Sequence, residues 1–167
     1  VTVLSDYGKG VLAGDVPGKL VAMARESGRR VIVDPRGPNH ARYAGADIII
    51  PNRIDLAEAT GMPVDTEPAI VAAAAALRSR HSFGAVVVTR GNDGMTLVDD
   101  AGARHFPAEA AEVYDLSGAG DTAVATLAAA VAGGSDVETA VRLANLAAGV
   151  VVGKAGTAVV READLIF

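Results

Sequence analysis

The segment Asp115-Leu116-Ser117-Gly118-Ala119-Gly120-Asp121-Thr122 leads directly into an alanine-rich run over 123–132. We expect a short strand to end here and a helix to begin, with a first turn that carries almost no side chains. The amides at a helix start are unpaired and carry partial positive charge, so an anion can approach those of Gly118, Ala119 and Gly120 directly. The pattern predicts an anion hole built from backbone N–H groups.

Asp121 follows at the edge of this predicted anion hole. A carboxylate is poorly suited to holding phosphate, but it can take a proton from a hydroxyl that is about to attack one, so we interpret Asp121 as a general base. Two other interpretations use the same residues. In the first, Ser117 caps an ordinary helix and Asp121 complements its dipole. In the second, Gly118-x-Gly120-x-x-Ala123 is a dinucleotide fingerprint, but the helical spacing of 136–151 lacks the required strand and acidic residue.

Composition limits the classes of protein to consider. With 167 residues, of which 50% are hydrophobic, we expect one domain over 1–167 with a sizeable core. The net charge of −5 without a basic stripe argues against nucleic acid or a membrane surface as partner. The absence of cysteine excludes disulfides and fits the cytoplasm, and we interpret the scattered His40, His81 and His105 as surface residues rather than a zinc site. The chain opens on an apolar run without an initiator Met, so we expect a fragment.

Apolar runs alternate with helical patterns along the chain. Buried strands are predicted at 1–4, 30–33, 47–50 and 85–88, helices at 17–26, 54–60, 67–80, 120–132 and 137–151, and a hairpin at 95–98 and 104–107. This alternation is typical of a parallel sheet covered on both faces, whose ligands bind beyond the carboxyl ends of the strands.

Polar clusters follow four of these strands, at 6–9, 34–36, 52–55 and 89–94. In a parallel sheet all four clusters, and the helix start at Gly118, would lie on one rim. They combine carboxylates, an amide, two cations and open backbone amides. Such a set predicts a site for a phosphorylated ligand with a magnesium ion.

Several motifs together resemble the ribokinase (PfkB) family of sugar kinases. Asp115-x-Ser117-Gly118-Ala119-Gly120-Asp121 is similar to the family's D-T-x-G-A-G-D signature, Asn52-x-x-Asp55 to its N-x-x-E motif, and Thr89-x-Gly91-x-x-Gly94 to its T-x-G-x-x-G loop. Segments 5–10, 33–35, 113–115 and 144–154 resemble, more narrowly, the D-glycero-D-manno-heptose 7-phosphate kinases. The resemblance implies a ribokinase-like three-layer αβα fold with a mostly parallel sheet. It also implies that the family's N-terminal part, with the Gly-Gly sugar motif and the β lid, is missing from this chain.

The resemblance also implies a role for each matching residue. Asp121 would be the catalytic base, and Gly118, Ala119 and Gly120 would hold the transferring phosphoryl group. The remaining roles are these: Thr89, Gly91, Gly94 and Asn145 for ATP, Asn52 and Asp55 for Mg²⁺, and Asp115 and Ser117 for a monovalent cation such as K⁺. The alternative for Asn145 is a structural role, as a polar residue inside an apolar helix whose hydrogen bonds are satisfied within the protein. Asp55 replaces the family's Glu, so Glu58 is an alternative partner for the metal.

Asp6, Lys9 and Arg36 are candidates to face phosphate or substrate, with solvated surface charge as their alternative. We therefore expect an ATP-dependent carbohydrate kinase that is similar to heptose 7-phosphate kinases and acts on a sugar phosphate. A second copy of the chain is a candidate partner. Two other functions stay open, a nucleotide-binding module or inactive fragment without the sugar site, and a structural or regulatory domain.

Overall fold

The computed structural model describes residues 1–109, 117–154 and 158–164 of the chain. Contacts between residues divide the chain into two compact units. The first unit comprises Val1–Thr89 and Thr96–Arg104, and the second comprises Arg90–Met95 and His105–Phe167. The single domain predicted over 1–167 stays a prediction.

Within the described ranges, six strands form one sheet in their order along the chain. They are β1 (Thr2–Ser5), β2 (Val31–Asp34), β3 (Ile48–Ile49), β4 (Ala85–Thr89), β5 (Met95–Asp99) and β6 (Gly102–Phe106). The first four strands run parallel, with the pairs Thr2 and Val31, Ile32 and Ile48, and Ile48 and Ala85. The predicted parallel pairing of these strands is confirmed, and so is the hairpin, because β5 and β6 are neighbours joined by a tight turn.

The apolar runs of the sequence are the buried strands of this sheet. Val31, Ile32 and Val33 are fully buried, and so are the three valines of β4 at 86–88. Strands that lose both faces to the interior read as continuous apolar runs rather than as alternating patterns. Among the described strands, β1 has β2 as its one neighbour, and in β1 Leu4 is buried while Val3 is 41% exposed.

β3 is shorter than the predicted strand over 47–50. The backbone amide of Val31 donates to the carboxylate of Asp47 at 2.7 Å. The backbone of Asp47 also pairs with its neighbours, since its amide donates to the Val31 carbonyl at 3.0 Å and its carbonyl accepts the Ala85 amide at 2.8 Å. β3 itself comprises only Ile48–Ile49. It ends before Pro51, which has no amide hydrogen to donate.

The helices of the first unit begin at cap residues visible in the sequence. They are α1 (Val16–Glu26), α2 (Arg53–Thr60) and α3 (Glu67–His81), each within one residue of its predicted bounds. The Asn52 side chain accepts the Asp55 amide at 2.9 Å, and the Thr66 hydroxyl accepts the Ala69 amide at 3.3 Å. Each cap pairs an amide that the helix leaves without a partner. The core of this unit includes Leu4, Val31, Val33, Tyr43, Ile49, Leu56, Ile70, Leu77 and Val86.

Two alanine-rich helices dominate the second unit. They are α4 (Ala119–Ala132) and α5 (Val137–Val152), as predicted to within one residue, and they pack against each other. Small side chains at the buried positions, such as Ala123, Ala128 and Ala144, are suited to close packing of the two helices. Among the described residues, no helix has the length and apolar character needed to cross a bilayer.

Candidate functional site

The start of α4 presents open backbone amides. Gly118 is the N-cap residue and has a φ of 80°, a conformation that glycine adopts without strain. The first helical bond runs from the Thr122 amide to the Gly118 carbonyl at 2.9 Å, so the amides of residues 119–121 precede the helical ladder. Among the described residues, a Cβ built at Gly118 or Gly120 would meet no atom within 4 Å. The two glycines therefore place no side chain of their own beside these amides.

The alternative in which Ser117 caps this helix is wrong. The cap lies one residue later, at Gly118, which has no side-chain oxygen to offer the first turn. The left-handed φ of that position explains the shift, because glycine tolerates it far better than serine. The amides of the first turn are thus not capped by the N-cap residue.

Asp121 is an exposed residue in the first turn of α4. A carboxylate here interacts favourably with the positive end of the helix dipole. The catalytic role of Asp121 stays a prediction, as does the cation site of Ser117, which is also exposed. Its expected partner Asp115, with the strand predicted before the helix, lies outside the described residues.

The Thr89-x-Gly91-x-x-Gly94 segment forms a tight loop after β4. The Arg90 amide donates to the Gly94 carbonyl at 2.8 Å, and the buried Arg90 guanidinium donates to the Asp93 carbonyl at 2.8 Å. A Cβ at Gly94 would lie 2.0 Å from the Phe106 carbonyl oxygen, so only glycine fits there. Gly91 has open space around it. The loop is therefore tightly held at one glycine and accessible at the other, as a backbone that approaches a ligand requires.

Asn145 lies buried in α5, where its side-chain amide donates to the Pro107 carbonyl at 2.7 Å. This bond joins α5 to the segment that follows β6. It supports the alternative of a satisfied polar residue inside an apolar helix. A role beside adenine stays a prediction and would use the other atoms of the same side chain.

The carboxyl ends of β1–β4 meet at one edge of the sheet because these strands are parallel. The polar residues that follow them lie at that edge, and Asn52 forms a bridge with Thr89 there. The predicted rim is confirmed for these four strands. That the start of α4 shares this rim stays a prediction.

Asn52 and Asp55 both take part in the start of α2. Asp55 is buried, and this burial raises the pKa of its carboxyl group, with the negative charge of Glu58 adding to the rise. Arg36 and the backbone of Gly37 oppose it by favouring the charged form. Mg²⁺ prefers carboxylate and amide oxygens and keeps several waters. The carboxylates of Asp55 and Glu58, together with the Asn52 side chain, are therefore suitable ligands for it. Among the described residues, no group of three His, Cys, Asp or Glu side chains is placed to hold a metal ion.

The three substrate-facing candidates of the first unit differ in their surroundings. Lys9 and Arg36 are exposed, which fits both a role in binding phosphate and solvated surface charge. Asp6 is buried and bonded to Tyr43. Sequence reasoning missed Tyr43, because nothing in the pattern links a tyrosine to an aspartate 37 positions earlier.

The prediction that all three histidines lie on the surface is wrong for His40, which is 1% exposed. Neither ring nitrogen reaches a partner at hydrogen-bonding geometry within the described ranges, although the backbone of Gly37 lies close enough to favour the charged form slightly. Burial outweighs this effect and lowers the pKa of His40 to about 4, with a smaller contribution from the charge of His81. The burial of His40 was not evident from the sequence, where it stands apart from the other histidines. A short 3-10 turn over His40–Tyr43 buries the ring.

A profile of the pfkB family carbohydrate kinases matches residues 10–163. The chain belongs to this family. Its relatives include the bifunctional protein HldE of Acidiphilium cryptum, 58% identical, and that of Rhodospirillum rubrum, 57% identical. The alignments cover 99% and 98% of this pfkB chain but 34% and 33% of those proteins. The chain thus spans about a third of the length of these curated relatives.

Solved structures of sugar kinases share the fold of this pfkB chain. Arabidopsis thaliana ribokinase, complexed with ribose and ATP, matches with a TM-score of 0.81 and 28% identity, over 93% of this chain and 50% of that one. Escherichia coli phosphofructokinase-2, in complex with potassium, matches with a TM-score of 0.81 and 21% identity, over 90% and 50%. The second likeness concerns the fold alone. Together with the mostly parallel sheet, these matches confirm the ribokinase-like α/β fold.

Proposed function

We propose that this chain provides the ATP-binding and catalytic part of a sugar kinase that phosphorylates a hydroxyl of a heptose 7-phosphate. The observation that carries the proposal is the start of α4, where a Cβ at Gly118 or Gly120 would meet no described atom and Asp121 lies in the same turn. Membership of the pfkB family supports the reaction class. The motifs at 5–10 and 144–154, which resemble those of heptose 7-phosphate kinases, support the acceptor.

The chemistry requires one proton acceptor and several hydrogen-bond donors. The hydroxyl oxygen of the sugar forms a new bond to the γ-phosphorus of ATP. The bond from that phosphorus to the β,γ-bridging oxygen breaks, and ADP leaves. The Asp121 carboxylate takes the hydroxyl proton, a contribution of about 10²–10⁴-fold for a general base. The amides of residues 118–120 stabilise the charge that spreads over the phosphoryl oxygens.

The other proposed residues bind and orient the nucleotide. The Thr89, Gly91 and Gly94 loop lines the phosphates and ribose of ATP, and Asn145 lies near the adenine. Asn52 and Asp55, with Glu58 as a further carboxylate, hold Mg²⁺ through water, and the metal neutralises charge on the phosphates when it is bound. Asp115 and Ser117 contribute to a site for a monovalent cation such as K⁺.

A transfer assay on the intact protein tests this function. With Mg²⁺, ATP labelled at the γ-phosphate and D-glycero-D-manno-heptose 7-phosphate, we expect label to pass to the sugar, and chelation of Mg²⁺ to stop the transfer. Fructose 6-phosphate and ribose serve as comparison acceptors. Binding of MgATP in calorimetry without transfer to any acceptor would favour a nucleotide-binding module instead. Absence of nucleotide binding would favour a structural or regulatory domain.

A further inference from the structure

The turn after β1 is anchored by a buried carboxylate. Asp6 is 7% exposed, and its Oδ1 accepts the Gly8 amide at 2.7 Å. Its Oδ2 accepts the Tyr43 hydroxyl at 2.6 Å and lies 3.6 Å from a guanidinium nitrogen of Arg42. A buried charge is costly unless several donors compensate it, and here both oxygens have them. Asp6 is therefore better suited to hold the protein chain than to contact a phosphate, which would repel it.

Tyr43 is the most deeply buried member of this anchor. The side chain is fully buried, and Arg42 lies over its ring at 5.4 Å from the centroid. Burial, with the adjacent Asp6 carboxylate, raises the pKa of Tyr43. The phenol consequently stays protonated and donates to Asp6 throughout the working pH range. The turn over Asp6–Gly8 is thus tied to the core through a hydroxyl that comes from a distant part of the chain.

The anchored turn lies against Arg36. A Cβ at Gly8 would be 3.7 Å from the Cγ of Arg36, so a side chain at this position would contact the stem of that arginine. Lys9 follows Gly8 directly and is exposed. Lys9 and Arg36 are thus exposed cations on the two neighbouring loops that follow β1 and β2.

We propose that Asp6 and Tyr43 are positioning residues that hold the Gly8–Lys9 turn against Arg36, so that Lys9 and Arg36 together bind the phosphate already carried by the sugar acceptor. This inference rests on the proposed kinase function and adds to it the part of the site that recognises a phosphorylated acceptor. A phosphate monoester matches two adjacent cations in charge. Tyr43 touches neither substrate and acts only through the turn.

Steady-state kinetics of the intact protein test this inference through Tyr43→Phe, which removes one hydroxyl and keeps the ring. We expect the KM for the sugar phosphate to rise about tenfold, as for loss of a hydrogen bond to a charged group, while kcat and the KM for ATP change little. Lys9→Ala should raise the same KM at least as much. In the Lys9→Ala background, Tyr43→Phe should have almost no further effect, because the turn then has no ammonium group to position.

Thr60→Val is the control, since it removes a hydroxyl bonded to the Leu56 carbonyl at 2.7 Å in the same unit and away from the turn. It should leave both KM values unchanged. All kinetics are run below the onset of thermal unfolding of each variant. The inference is overturned if Lys9→Ala leaves the KM for the sugar phosphate unchanged in an active enzyme, or if the two substitutions act additively. A wild-type protein that phosphorylates no sugar phosphate would overturn the proposed function, and the inference with it.

Discussion

Gly120, the second residue of α4, has a helical backbone and open space where a side chain would lie. Alanine is a better helix former than glycine, so Gly120→Ala should maintain or slightly raise stability, by up to about 1 kcal/mol. The added methyl group would stand where the phosphoryl oxygens approach the amides, so kcat/KM should fall at least about tenfold. Measurements of urea unfolding and of kinase turnover on the same variant separate the two effects.

Gly18→Ala is the matched control for this prediction. Gly18 also lies in the first turn of a helix, and a Cβ there would make only an ordinary contact, 3.7 Å from the Arg42 carbonyl oxygen. It should show a similar change in stability and normal turnover. If Gly120→Ala were fully active, the open amides at this position would have no role in transfer.

His40 makes the stability of the protein depend on pH. Its pKa is about 4 in the folded protein and 6.5 as the ordinary value, so the unfolded chain binds a proton that the folded chain does not bind. The free energy of unfolding should therefore fall as the pH drops from about 6.5 to about 4, by up to about 3 kcal/mol from this residue. In His40→Phe that part of the loss should disappear, as urea unfolding at several pH values would reveal.

His105→Phe provides the comparison, because His105 is exposed. It should retain the acid sensitivity of the wild-type protein. His81, whose pKa burial also lowers, contributes in the same direction and stays in place in both variants. Equal acid sensitivity in His40→Phe and wild type would show that the buried ring does not resist protonation.

The loop after β4 depends on one glycine more than on the other. Gly94 has a φ of 83° and lies too close to the backbone of 106–108 for any side chain, whereas Gly91 has a φ of 61° in open space. We expect Gly94→Ala to lower the free energy of unfolding by about 3 kcal/mol or more, and Gly91→Ala by about 1 kcal/mol from the left-handed backbone alone. Urea unfolding of the two variants tests this difference, which equal losses would contradict.

The helices and strands could be predicted because each has a local cause in the sequence. Continuous apolar runs predicted the buried strands, and Asn52, Thr66 and Asp136 stand at the starts of helices where their side chains cap the amides. Local reasoning missed two details. The Asp47 carboxylate accepts the amide of Val31, 16 positions earlier, and the cap of α4 depends on the backbone conformation of Gly118 rather than on a side chain.

The order of the motifs along the chain predicted the family, and the motifs that begin at Asn52 and Thr89 lie at the ends of β3 and β4. The residue types of the candidate site were chosen because backbone amides, carboxylates and cations have distinct chemical uses, and their roles stay predictions. The surroundings of Asp6, His40 and Asn145 were not predictable. Their burial and partners arise from contacts across the fold, as in the 38-residue separation between Asn145 and Pro107.

The central claim is that the start of α4 carries the chemistry, with Asp121 as the base. The most direct test is the turnover of Asp121→Asn in the intact protein beside Asp136→Asn, a second aspartate at a helix start whose capping role asparagine can also fill. We predict that Asp121→Asn lowers kcat by about 10²–10⁴-fold while MgATP still binds in calorimetry, and that Asp136→Asn is fully active. Near-normal turnover in Asp121→Asn would contradict the account.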